Sequence, residues 1–403
     1  MQTIVLAAGR GTRMRPLTDE IPKPMLPVAN RPLVQHVIDE AVDAGASEII
    51  LVVGYGASQI EDHFGRSYRD IPITYVYQET RAGTGHALAT AKTALTNEPF
   101  VLLNGDIVVG KGELGPLYDD VPAVGAIAVD DPRSYGVFQL DGETVRGIVE
   151  KPEDPPSSLA NAGAYSFPPS VLDTIDDLSA SARGEYEITD VLDALFHTES
   201  VELVQFDRWL DVGRPWDLLE ANEWQIGEVA DSREGTISPD ATVNGPVHIE
   251  SGATVRSGVT IDGPVVIRRG ATVGPNAFIR PSTLIDVGAT VGHAVEIKNS
   301  VLFPNATIGH QSYVGDSLIG PEVNFGAGTN VANLRHDGSA IRTTVKGDVV
   351  STGRRKFGVV AGPGAKTAID TSLNAGVVLA RDGTTRPNET LLRSQSLDSS
   401  PSE

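Results

Sequence analysis

The chain has 403 residues, enough for two or three domains with separate cores. Its 53 acidic and 32 basic side chains give a net charge of −21, which argues against nucleic acid or anionic membranes as general partners. Cysteine is absent, so disulfides and thiolate metal sites are excluded.

The chain opens on a short apolar run, Thr3 to Leu6, read as a buried strand that leaves no room for a signal peptide. No apolar stretch approaches the roughly 20 residues that cross a bilayer, and the cytoplasm is the expected location. The loop from Leu6 to Pro24 follows. Gly9 and Gly11 free its backbone to bend and to bring N–H groups against a phosphate. Arg10, Arg13, Arg15 and Lys23 place four cations within fourteen residues of an otherwise acidic chain. An anionic substrate needs such a local reversal of sign, and arginine can donate twice to one phosphate.

Next, Asn30 is a candidate N-cap for a helix whose apolar positions are Leu33, Val34, Val37, Ile38, Ala41 and Val42, with Gly45 placed to end it. Strands are expected at Ile49–Val53, Ile73–Tyr77, Phe100–Leu103 and Ala126–Val129, with a helix at His86–Leu95. This alternation predicts a mostly parallel sheet with helices on its faces, and ligands beyond the carboxyl ends of its strands. Asp106 ends the run Phe100 to Asn104-Gly105-Asp106, and Asp211 ends Trp209-Leu210-Asp211. Mg²⁺ prefers such hard oxygen ligands together with substrate phosphates. In Gln78 to His86 the glutamine amide can pair with a pyrimidine, and Gly83-Thr84 lets a helix begin close to a ligand.

Taken together, the opening loop, both aspartates, Gln78-Glu79-Thr80, Tyr135-Gly136-Val137-Phe138, Val149-Glu150-Lys151-Pro152 and Asn161-Ala162-Gly163 resemble the sugar-1-phosphate nucleotidyltransferases. The resemblance covers residues 1 to 220. It implies a Rossmann-like α/β domain over 1–227 and several residue roles. Leu6, Ala7, Ala8, Gly9, Gln78, Gly83 and Thr84 would hold the nucleotide. Arg13 and Lys23 would neutralise phosphate charge. Asp106 and Asp211 would bind Mg²⁺. Gly136, Glu150, Lys151 and Asn161 would hold the sugar phosphate. The Gln78 segment is closer to the uracil-reading stretch of UDP-N-acetylglucosamine pyrophosphorylases than to that of thymidylyltransferases.

From Ile237 an aliphatic or aromatic residue recurs every six positions, through Val243, Ile249 and Val255 to Ile297 and Phe303. A strict period of six would walk around a helix, so it marks hexapeptide coils stacked into a parallel β-helix, expected over 231–382. The period slips after Phe303 and again near Ile319. Within that perturbed region, His310, Tyr313, Asn324, Ala327 and Asn333 match the spacing of glucosamine-1-phosphate N-acetyltransferases of the bifunctional pyrophosphorylase type, whose β-helix is left-handed. The resemblance makes His310 the general base for the attacking amine, a task that suits imidazole near neutral pH. Tyr313 and Asn324 would contact sugar, and Ala327 and Asn333 acetyl-CoA. Arg280 and Lys298 would hold the sugar phosphate. The chain departs from the bacterial pattern in having Leu334-Arg335-His336 after Asn333, and Ser339 where relatives carry lysine.

Arg354-Arg355-Lys356 is a candidate for CoA phosphates or an exposed basic loop, and residues 383–403 are expected to form a disordered tail. Homotrimeric assembly is implied by the resemblance. Only eight residues are lysine, a composition like that of proteins from salt-accumulating organisms. The reading is a bifunctional enzyme that acetylates glucosamine 1-phosphate from acetyl-CoA and then joins the product to UTP. Two other readings stand beside it: a glucose-1-phosphate uridylyl- or thymidylyltransferase with a purely structural β-helix, and a non-catalytic regulatory subunit.

Overall fold

The computed structural model describes residues 1–80, 82–142, 144–175 and 184–397. Contacts divide the chain into two units, one of residues 1–10, 22–25 and 32–211, the other of residues 11–21, 26–31 and 212–403.

In the first unit the opening strand Gln2–Leu6 lies between Glu48–Val53 and Phe100–Asn104, parallel to both, and Ile71–Tyr77 continues the parallel series. Alternate residues feed two cores: Val5, Leu51, Val101 and Leu103 face one way, Ile4, Ile50, Val52 and Leu102 the other. Burial on both faces explains why these strands read as continuous apolar runs. The sheet is mixed, however. Leu159–Phe167 runs antiparallel to Phe100–Asn104 and to Ala123–Ala128, and Gly136–Asp141 pairs antiparallel with Thr144–Glu150. The first helix spans Leu33–Asp43 and is entered from extended Pro32, so Asn30 is not its cap. Gly45, at φ 109°, follows the helix end as its sequence position suggested.

The second unit is a parallel β-helix of three stacked sheets. Thr254, Thr272 and Thr290 pair one above another at intervals of 18 residues, and the next coil brings Thr307, a step of 17. Inward residues such as Val255, Val273, Val291 and Ile308 form one continuous core. The slip falls one residue earlier than the period indicated. Leu302, not Phe303, pairs with Ile285 and enters the core, because strand hydrogen bonding sets the register and both residues are apolar. A second step of 17 takes Leu302 to Ile319. Between Leu318 and its partner Val360 the chain makes an excursion containing the hairpin Arg342–Val345/Asp348–Ser351.

One outer sheet face is itself apolar: Val266, Leu284, Val301, Leu318, Val360 and Val378 are all buried. Helix Pro215–Gln225 packs on this face, with Trp216 edge-on to Phe357 and Asn222 bonded to the carbonyl of Ser282 and the amide of Ala29. By contacts this helix therefore groups with the β-helix. The stretch after 382 is not the tail its composition suggested, up to residue 397. Thr390–Leu391 pairs with Ser372–Leu373, and Gln395 bonds Ala380 and Thr384. Stacking supplies hydrogen bonds that composition does not reveal; residues 398–403 lie outside those described. Among the described residues, no helix is long and apolar enough to cross a membrane.

Candidate active sites

Register gathers the first site. Leu6 stands opposite Asn104 on one side and Val52 on the other, and Val53 opposite Tyr77. The segments that follow these strands therefore emerge at one sheet edge, around a cleft of about 310 Å³. Leu6, Ala7, Ala8, Gly9, Gln78, Gly83 and Thr84 all line it, with Lys23 and Asp106.

Lys23 is 6% exposed, and its ammonium lies 2.5 Å from Asp106. A buried cation needs such a partner, and an anion entering the cleft would supply a second one. Asp211 pairs by register with Ile107, the neighbour of Asp106, across the two antiparallel strands Ile107–Val109 and Trp209–Asp211. Register thus brings Asp106 and Asp211 to the same end of this strand pair. Among the described residues no group of three or more His, Asp or Glu side chains could hold a metal. A pair of hard oxygen donors completed by substrate phosphates fits the habit of Mg²⁺, so Asp106 and Asp211 suit that ion.

Gln78 is buried, and both of its amide hydrogens are engaged: Nε2 donates to the carbonyl of Gly83 at 3.2 Å and to Nδ1 of His86 at 3.0 Å. What remains is the carbonyl Oε1, an acceptor. The sequence suggested that the amide would offer donor and acceptor alike; the fold leaves only the acceptor. Gly83 has φ 103°, and a Cβ there would lie 2.3 Å from the carbonyl of Tyr186. The close approach brings in Glu185 and Glu187, which also line the cleft. Hydrogen bonds from Tyr186 to Ala82 and from Gly85 to Tyr186 hold that segment.

The residues expected to hold sugar phosphate lie on the antiparallel side of the sheet and do not line the cleft, but Gly163, two positions after Asn161, packs against the lining residue Asn104, where a Cβ would fall 2.3 Å from its Nδ2. Gly136 pairs with Glu150, and Glu150 accepts from Lys151 at 2.8 Å. Asn161 donates to Tyr165 and accepts from the amide of Gly163. Burial pushes the Tyr165 phenol well above its ordinary range, so it stays a neutral partner. Arg13 is exposed on the turn Thr12–Met14, which contacts group with the second unit.

On the β-helix the expected residues fall into two groups. His310 sits on the turn before Tyr313–Gly315, and its carbonyl accepts from Gly328, beside Ala327, one coil on. Asn324 is exposed on the neighbouring strand. The His310 Nδ1 accepts from the backbone N–H of His293 at 3.1 Å, so the neutral ring carries its hydrogen on Nε2 in this arrangement. The second group lies along the adjoining outer face. Arg280 is paired with Glu296 at 2.9 Å, Lys298 with Asp316 at 3.2 Å, and Asn333 donates to the hydroxyl of Tyr313. Arg354 is not free for CoA phosphates: it is ion-paired with Glu223 and stands 3.9 Å from Glu220. Arg355 and Lys356 remain exposed.

The model of the nucleotidyl transferase family matches residues 2–226, and that of the GMPPB C-terminal domain matches residues 261–381. The bifunctional protein GlmU of Methanococcus maripaludis is 38% identical over 94% of this chain and 91% of its own. A bifunctional sugar-1-phosphate nucleotidylyltransferase/acetyltransferase of Sulfurisphaera tokodaii is 34% identical over 94% of each chain. The chain belongs to this bifunctional family. A solved UDP-glucose pyrophosphorylase complexed with UDP-glucose aligns at TM-score 0.52 and 29% identity, covering 57% of this chain and 99% of that one.

Membership makes the protein an enzyme with a nucleotidyltransferase half and an acetyltransferase half. It also implies Mg²⁺, UTP and acetyl-CoA in general terms, and small molecules as substrates. Two features of the sites had no readable sequence signal. Glu185 and Glu187 reach the cleft only through hydrogen bonds to a segment about a hundred residues earlier. Asp316, which joins Lys298 to Asn333, looks like any aspartate in a turn.

Proposed function

We propose that the enzyme forms UDP-N-acetylglucosamine from glucosamine 1-phosphate in two steps, one in each half. The observation that carries the reading is the cleft in which Lys23 and Asp106 meet the loop Leu6–Gly9 and Gln78. Backbone N–H groups of the loop suit a triphosphate. The free acceptor of Gln78 suits the N3–H of a keto pyrimidine, uracil or thymine, and opposes cytosine, whose N3 is itself an acceptor.

In the nucleotidyl step a phosphate oxygen of the sugar 1-phosphate attacks the α-phosphorus of UTP, and the bond to the pyrophosphate leaving group breaks. Mg²⁺ held by Asp106 and Asp211 would offset phosphate charge. Lys23, released from Asp106 in part, would turn to the phosphates, with Arg13 adding charge from the loop. Gly136 would allow close backbone approach, Glu150 would accept from sugar hydroxyls, Lys151 would meet phosphate, and Asn161 would meet the acetamido group.

In the acetyl step the amine of glucosamine 1-phosphate attacks the thioester carbonyl of acetyl-CoA. The amine loses a proton and CoA leaves as the thiol. His310 is the proposed base, which requires Nδ1 to let go of the His293 amide or the ring to turn. Lys298 and Arg280 would hold the phosphate, Tyr313 and Asn324 the sugar, and Ala327 and Asn333 acetyl-CoA. The separation of these residues into two groups supports sites completed between copies of the chain, and the resemblance implies three copies. Light scattering should give about three times 42.5 kDa.

The likeness to a pyrophosphorylase bound to UDP-glucose favours one second reading, in which the first half takes glucose 1-phosphate. One panel tests both. Pyrophosphate release is measured with UTP and dTTP against N-acetylglucosamine 1-phosphate and glucose 1-phosphate, and thiol release with glucosamine 1-phosphate. UTP with N-acetylglucosamine 1-phosphate should be the fastest pair, and thiol should be released. A silent thiol assay sinks the acetyl step, and a preference for glucose 1-phosphate moves the nucleotidyl step to the second reading.

A further inference from the structure

We propose that Asp316 is a positioning residue of the acetyl-transfer site, fixing the polarity of the groups that meet the substrates. This rests on the acetyltransferase reading above and adds a residue to it. The two shortened coils are the origin. Where each loses a residue, the chain turns through a left-handed position, Asn299 at φ 45° and Asp316 at φ 53°, and the amide of Asp316 bonds the carbonyl of Lys298. The turns therefore stack, and the Asp316 side chain is directed inward, only 3% exposed.

Both oxygens of that carboxylate accept hydrogen bonds, with Lys298 also 3.5 Å from Oδ1. Oδ1 receives Nδ2 of Asn299 at 2.9 Å, and Oδ2 receives Lys298 at 3.2 Å and Nδ2 of Asn333 at 2.5 Å. An ionised carboxylate can only accept. It therefore forces the amide nitrogen of Asn333 inward, and that nitrogen also donates to the Tyr313 hydroxyl at 3.2 Å. Two consequences follow for the surface. The Oδ1 of Asn333 is presented outward as an acceptor, suited to an N–H of the acetyl donor or of the amine. The Tyr313 hydroxyl, already accepting, presents its hydrogen as a donor. Gly315 gives the pair room, since a Cβ there would fall 2.6 Å from the Tyr313 hydroxyl and 2.7 Å from Asn333. Lys298 keeps its remaining hydrogens for a phosphate, with its position set by Asp316.

The test is a double-mutant cycle on the full-length enzyme, following thiol release with acetyl-CoA and glucosamine 1-phosphate. Asp316→Asn keeps the shape and tolerates the left-handed backbone but permits its own amide and that of Asn333 to turn over. Its KM for glucosamine 1-phosphate should rise about tenfold, as losses of orienting partners do, while pyrophosphate release in the other half is unchanged. Because Asp316 acts through its partners, Asp316→Asn should add little in an Asn333→Ala or Lys298→Met background. Additive losses, or an unchanged KM in the single variant, overturn the inference. If Asp316→Asn alone does not fold, Lys298→Met/Asp316→Asn replaces it: it leaves no buried charge without its partner and should match Lys298→Met alone, and any further loss overturns the inference. A parent enzyme that releases no thiol overturns the acetyltransferase reading and this inference with it; an active parent with additive variants overturns this inference only.

Discussion

In the nucleotidyl cleft the polar groups come from strand ends far apart in sequence, and parallel register gathers Leu6, Gln78 and Asp106 at one edge. On the β-helix, Lys298, Tyr313 and Asn333 come from successive coils stacked one above another, and the tie among them is a carboxylate within the stack. The first arrangement depends on loops with special backbone geometry, such as Gly83. The second depends on where a repeat loses a residue. A substitution in the cleft should therefore disturb one chemistry through one loop, whereas a substitution at a shortened coil should move several site residues together.

The contrast can be tested at three depths. The largest effect is expected from Lys23→Met, which removes the buried cation and leaves Asp106 without it. Pyrophosphate release should fall by about 10²–10³, the usual cost of losing a group aimed at developing charge, and thiol release should not change. An intermediate effect is expected from Gly83→Ala, since a Cβ at φ 103° would lie 2.3 Å from the Tyr186 carbonyl. The cost should be about 2 kcal/mol, read as a lowered melting transition of the nucleotidyl half, with the β-helix transition unmoved. A single transition that shifts as a whole would blur the comparison. The smallest effect is expected from Gln78→Leu. Losing the acceptor proposed to meet the base should raise the KM for UTP about tenfold and leave the KM for the sugar phosphate alone; equal rises in both would remove Gln78 from base recognition.

How much of this could be read from residues varies with the kind of interaction. The parallel strands were legible because burial on both faces leaves continuous apolar runs such as Ile49 to Val53. The antiparallel strands Gly136–Asp141 and Thr144–Glu150 have exposed positions and carry a weaker signal. The β-helix is legible from its period, but the exact position of the slip is not, since Leu302 and Phe303 are equally apolar and only pairing with Ile285 separates them. The strand Thr390–Leu391 has no local signal, because a polar stretch folds there by adding to an existing stack.

The cleft was legible in the cations and glycines of its opening loop, all of which are local. Long-range ties were not. The Lys23–Asp106 ion pair spans 83 positions, and the salt bridge of Arg354 with Glu223 spans 131. The latter redirected a residue that looked available for phosphate. Nothing in a basic triplet indicates that its first member is neutralised by a distant helix.

The central claim is that one chain carries two separable chemistries. The direct measurement is both rates, pyrophosphate release and thiol release, in the parent, in Asp106→Asn and in His310→Ala under one set of conditions. A reciprocal pattern is expected: Asp106→Asn loses pyrophosphate release and keeps thiol release, and His310→Ala does the reverse. Nucleotidyl transfer that survives Asp106→Asn, or thiol release that His310→Ala leaves untouched, would contradict it.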